Sequence, residues 1–129
     1  MATWQDRLAD AREFMKVAKI SRDLGYGNPA VSDATFCAIA ANDAICMRFA
    51  RKKPQGDSHS EAPRLLQEAA KGQSWEGEAK ARADQFVSIV GRKSDAQYRG
   101  VKIPPEEVDR IVKQAERFLD WAEGVLRSR

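Results

Sequence analysis

Residues 28–51 read NPAVSDATFCAIAANDAICMRFAR, and this stretch decides the fold. Asn28 followed by Pro29 is a helix start: Asn is a favoured N-cap, and Pro fits the first helical position. From there to Arg51 the apolar residues Val31, Ala34, Phe36–Ala41, Ala44–Met47, Phe49 and Ala50 leave no polar side. A helix apolar nearly all round belongs in the middle of a bundle. Its many alanines let neighbouring helices come close. Asp33, Asn42, Asp43 and Arg48 make it too polar for a membrane span. The two internal acids and Asn42 are read as hydrogen-bonding a neighbouring helix or fixing the register of a dimer.

Working outward, the flanking segments also carry the helical period. Before the breaker Gly25-Tyr26-Gly27, a helix is expected over about Thr3 to Leu24. Trp4, Leu8, Ala11, Met15 and Ala18 form its inner stripe, widened by Phe14, Val17 and Leu24. After the polar loop 52–57, Ser58 and Glu61 have the spacing of a capping box, and Pro63 suits a first turn. They open a short helix to about Lys71 with Leu65, Leu66, Ala69 and Ala70 inward. A fourth helix is expected from Glu78 to Tyr98, packing through Ala79, Ala83, Phe86, Val87, Val90 and Ala96, with an interruption at Gly91. Trp75, in the preceding loop, reads as the best candidate for an exposed aromatic contact. Pro104-Pro105-Glu106-Glu107 begins the last helix, its acids on the positive end. Val108, Ile111, Val112, Ala115, Phe118, Leu119, Ala122 and Leu126 follow the period.

The expected fold is all-α: one domain over residues 1–129, an up-and-down helical bundle of four long helices and one short one. A chain of 129 residues buries roughly 65–70% of its unfolded surface and needs no metal or disulfide to hold a core. Cys37 and Cys46 lie in the same helix about 13.5 Å apart along its axis, too far to bridge. With one His and two separated Cys there is no closed zinc site, and no metal or cofactor is expected. Reduced, buried thiols make a cytoplasmic location the expected default; the opening residues lack the apolar run of a signal peptide, and no membrane span is expected. The net charge of +3 and pI near 9.0 allow an anionic partner without requiring one. Neither a P-loop, a dinucleotide fingerprint nor a nucleophile elbow is present.

Three segments resemble a known family. Val31-Ser32-Asp33-Ala34-Thr35-Phe36 is similar to the start of that family's small-residue second helix. Asp57-Ser58-His59-Ser60 before a Leu-bearing helix resembles its Ser-His-Ser turn. Arg92-Lys93-Ser94-Asp95-Ala96-Gln97-Tyr98 followed by Pro105-Glu106-Glu107 resembles its basic-to-Tyr closing segment. These are the HEPN (higher eukaryotes and prokaryotes nucleotide-binding) proteins, and the resemblance covers about Pro29 to Leu126. It implies a four-helix core with an added short helix, and homodimers. It also implies work around nucleotides, RNA or DNA, often beside a nucleotidyltransferase partner in toxin–antitoxin systems.

With the basic helix ends, the resemblance leads to the expectation of a non-catalytic module that binds nucleotide, RNA or DNA, or that partners a nucleotidyltransferase, with Arg51, His59, Arg92, Lys93, Tyr98 and Arg99 as nucleotide or nucleic-acid contacts. Two basic clusters, Arg48/Arg51/Lys52/Lys53 and Arg92/Lys93/Arg99/Lys102, would join these contacts if the helix ends meet. The first alternative is a metal-independent ribonuclease using His59 as its catalytic residue. Against it, Arg51 and His59 have seven residues between them, more than the family's nuclease motif has, and lie before the third helix rather than the last. Gln97 also stands where an acid usually precedes the closing Tyr. The second alternative is a structural or assembly dimer without nucleic-acid affinity.

Overall fold

The computed structural model describes residues 2–55 and 61–128. It is a helical bundle of α1 (Trp4–Asp23), α2 (Gly27–Phe49), α3 (Glu61–Ala70), α4 (Ala79–Val90) and α5 (Pro105–Arg127). A 3₁₀ turn at Glu76–Glu78 leads into α4, and a π-helical turn at Asp95–Arg99 follows it. The expected capping box at Ser58 and Glu61 and the candidate His59 lie outside or partly outside the described residues.

Several helix ends have a local reason. Thr3 caps α1 reciprocally: its hydroxyl accepts from the Asp6 N–H at 3.2 Å, and Asp6 Oδ2 accepts from the Thr3 N–H at 2.8 Å. Gly25, at φ +80°, closes it. Pro105 starts α5 with Glu106 and Glu107 in the first turn. α4 stops at Val90 instead of running to Tyr98, because the chain turns at Gly91 and resumes as the π-helical turn.

α2 is the central helix. Thirteen of its residues are buried, and it packs against α1, α3, α4 and α5. By length and composition it could cross a bilayer, but 72% of its apolar window is buried inside the protein, as in a core helix. The long helices alternate in direction. Asp43, near the end of α2, pairs with Arg7 near the start of α1. Arg12 of α1 pairs with Glu123 and Arg22 with Asp109, so α1 also runs antiparallel to α5. α2 and α5 run parallel: Asn28 meets the loop before α5, while Arg48 donates to the Leu126 and Ser128 carbonyls. α4 opposes α5, with Glu78 on Trp121 at one end and Arg92 on Glu107 at the other. α3 lies beside α2 and α4, and Asn42 reaches the Ala62 carbonyl at 3.3 Å.

Some expectations from periodicity are corrected. Asn28 is not the N-cap of α2; Tyr26 is, without a side-chain cap bond. The Asn28 amide instead donates to the Val101 carbonyl at 2.6 Å and accepts from the Ile103 N–H at 3.1 Å. A distant loop outcompetes the local helix end. Gly27 makes this approach possible, because a Cβ there would lie 3.0 Å from Val108 Cγ2. Asn28→Ala should therefore cost about 1–2 kcal/mol in chemical denaturation by leaving two loop groups unpaired. A loss within error would show that water replaces the amide at no cost.

Val17 and Leu24 do not widen the inner stripe of α1; they are 48% and 61% exposed. Val87 of α4 also faces solvent, and Ile89 is buried instead. α2 ends at Phe49 rather than Arg51. Trp75 is 5% exposed and packs edge-on against Phe49 and Trp121 at 5.3 and 5.6 Å between ring centroids. It lacks helical periodicity yet closes one end of the core, which corrects its reading as an exposed contact.

Candidate nucleic-acid interface

The site residues expected from sequence separate along α2. That helix has 23 residues, so its ends are roughly 34 Å apart. Arg51 stands just beyond its carboxyl end. Arg92, Lys93, Tyr98 and Arg99 belong to the segment that packs near its amino end, where Gln97 donates to the Ser32 hydroxyl at 2.9 Å. The two basic clusters do not converge. The side chains of His59 and Tyr98 lie outside the described part of the structure; the Tyr98 backbone is in the π-helical turn.

The two ends differ in what their cations already do. At the amino end of α2, Arg92 Nη1 donates to Glu107 at 2.7 Å, and its Nε lies 3.0 Å from Asp95 Oδ2. Arg99 lies 3.7 Å from Asp95. These pairs tie the π-helical turn to α5. An adjoining cleft of about 340 Å³ is lined by Arg22, Tyr26, Asn28, Lys102, Ile103 and Val108, among others. Its Arg22 is engaged with Asp23 and Asp109. Lys102 is the cleft cation that makes no ion pair among the described residues.

At the carboxyl end of α2, Arg51, Lys52 and Lys53 are exposed and consecutive, with no ion pair among the described residues. Arg51 holds φ +60°, the left-handed region, which costs a side-chain-bearing residue on the order of 1–2 kcal/mol compared with a right-handed one. The Lys52 N–H turns back toward the Cys46 carbonyl at 3.4 Å. Arg127 of α5 shares this end and is also exposed without an ion pair among the described residues.

Arg48 behaves differently from its neighbours. Its guanidinium bonds the Leu126 and Ser128 carbonyls and stacks 5.2 Å from the Trp4 ring centroid and 4.8 Å from that of Phe49. It neutralises the negative end of α5 and serves the fold. The sequence reading grouped Arg48 with the free cations because its partners are more than seventy residues away.

Two other chemistries find no support in the local geometry. Burial pushes the Cys37 thiol up to about 12, helped by Glu116, Glu123 and Asp120, and burial also pushes Cys46 up. Both therefore stay protonated and unreactive at neutral pH. No three His, Cys, Asp or Glu side chains among the described residues stand close enough together to hold a metal ion.

No family model matches the chain, and no curated protein matches it. The functional reading therefore rests on the residues and their placement.

Proposed function

We propose that the protein is a non-catalytic, HEPN-like module that binds single-stranded nucleic acid through phosphate contacts at the carboxyl end of α2. The observation that carries this reading is the run Arg51-Lys52-Lys53: three adjacent exposed cations without ion pairs among the described residues, the first in the left-handed conformation. The left-handed Arg51 directly follows the C-cap Ala50 and ends α2, so the three cations stand together just past the helix. Arg127 extends the same positive edge. Nucleic-acid affinity built on such groups is dominated by release of counterions from phosphate. His59 follows this run by a few residues in sequence, and Arg92 and Arg99 are given over to ion pairs at the far end.

The test is a titration of labelled single-stranded RNA at several salt concentrations without metal, on a gel that resolves both complex and cleavage products. Wild-type protein should shift intact RNA with an affinity that falls as salt rises. The triple substitution Arg51→Gln, Lys52→Gln, Lys53→Gln should flatten the slope of log affinity against log salt by about 2, at about 0.7 per lost contact on a single strand. Lys102→Gln, at the opposite end, should leave the slope unchanged. Equal losses from both variants would refute this placement. Cleaved RNA that His59→Ala leaves intact would replace the reading with a ribonuclease, and intact, unshifted RNA would replace it with an assembly role.

A further inference from the structure

The cleft at the amino end of α2 plays no part in the nucleic-acid reading. Its volume of about 340 Å³ falls in the range of small-molecule sites. Two of the residues that line it are cations, Arg22 and Lys102, and none is an acid. Its buried lining is apolar: Ile103 and Val108 are 6% and 3% exposed. Tyr26, which is 57% exposed, also lines it.

Most polar side chains of the cleft are already engaged. Arg22 meets Asp23 and Asp109. The Asn28 amide is used at both ends, on the Val101 carbonyl and the Ile103 N–H. The Lys102 ammonium and the Tyr26 hydroxyl are left without partners among the described residues. The two Asn28 bonds also fix the backbone on either side of Lys102. Gly27 brings the start of α2 against Val108, since a Cβ there would lie 3.0 Å from Val108 Cγ2. A cleft held in this way before a ligand arrives lowers the ordering cost of binding.

We infer that this cleft binds a small aromatic monocarboxylate. Lys102 takes the carboxylate through a charge-assisted hydrogen bond. Ile103 and Val108 take the apolar body, and the Tyr26 ring packs on it. A nucleotide suits the same groups poorly. Its base, sugar and phosphate carry many donors and acceptors, against one unpaired cation and one hydroxyl among the side chains here. The cleft lies at the opposite end of α2 from Arg51–Lys53, so this inference stands apart from the nucleic-acid reading.

Phenylacetate titrated into isotope-labelled protein, followed by amide chemical shifts, tests the assignment. Shifts should concentrate on Tyr26–Asn28 and Lys102–Val108 and saturate with a Kd of about 1 mM. Phenylacetamide, which keeps the ring and lacks the charge, should bind about tenfold more weakly. Acetate, which keeps the charge and lacks the ring, should be weaker by a similar factor. Lys102→Gln should abolish the preference for phenylacetate over phenylacetamide, and Tyr26→Ala should weaken both alike. Both positions are exposed, so far-UV circular dichroism should stay unchanged. No shift in these segments up to about 20 mM phenylacetate, a Lys102→Gln or Tyr26→Ala variant that binds like wild type, or adenosine monophosphate binding there more tightly than phenylacetate would each overturn the carboxylate assignment.

Discussion

Phe118→Ala should lower stability by about 3–5 kcal/mol, the usual cost of emptying a buried aromatic site. Phe118 is 0% exposed and is the largest fully buried side chain of the core. From α5 its ring lies 5.9 Å from Phe86 of α4 and 5.8 Å from Trp121. Trp121 in turn meets Trp75, and Trp75 meets Phe49 at the end of α2. The substitution therefore opens a cavity between α4 and α5 and removes two links of an aromatic chain, those to Phe86 and Trp121, and such pairs contribute beyond their buried area. For a domain of this size the loss corresponds to a fall in Tm of roughly 10–20 °C. Urea denaturation followed by circular dichroism measures it. A loss below about 1 kcal/mol would mean that neighbouring side chains collapse into the space.

Arg7→Met should cost about 2–3 kcal/mol at pH 7, and the cost should shrink as pH falls. Asp43 is 7% exposed on α2. Arg7 Nη2 donates to its Oδ2 at 2.9 Å and Nε at 3.3 Å, while Nη1 bonds Asp10 on α1. Removing one partner of a buried pair leaves an uncompensated charge, which typically costs more than 3 kcal/mol. The smaller figure allows for the partial exposure of Arg7.

Burial raises the Asp43 carboxyl above its ordinary value, outweighing the opposing hydrogen bond and charge of Arg7 and the charge of Lys53. A carboxyl that binds its proton more tightly in the folded state lowers stability at neutral pH. That penalty is relieved as pH falls through the folded-state pKa. Without Arg7 the carboxyl rises further, so the difference between variant and wild type is largest near pH 7 and shrinks toward pH 4. Asp43→Asn keeps an acceptor for Arg7 without the charge, so it should cost less and show little of this pH dependence. A loss that is the same at pH 4 and pH 7 would assign the effect to the packing of the Arg7 side chain instead.

The candidate interface was only partly legible. Arg51, Lys52 and Lys53 stand out in the sequence as a basic run after a helix. Their freedom from ion pairs, and the left-handed backbone at Arg51, appear only in three dimensions. Arg48 and Arg92 look the same in sequence but are held by Leu126, Ser128, Asp95 and Glu107. Charge alone does not separate a solvated cation from one that ties two helices together, because the partner is set by the packing.

Local sequence determines where the helices are and which residues of α2 and α5 are buried. The 3.6-residue period, the Thr3 cap, the Pro105 start and the breaks at Gly25, Gly72 and Gly91 act over a turn or two and are read directly along the chain. Direction and partnership depend on how α3 and α4 return the chain. Only the tertiary structure decides that the two basic clusters sit at opposite ends of α2, that Asn28 serves the loop before α5 rather than its own helix, and that Trp75 closes the core. The same holds for the outward turn of Val17 and Leu24. A periodic stripe wider than the groove its neighbours offer must leave one edge in solvent, and the neighbours are chosen by contacts between residues far apart in sequence.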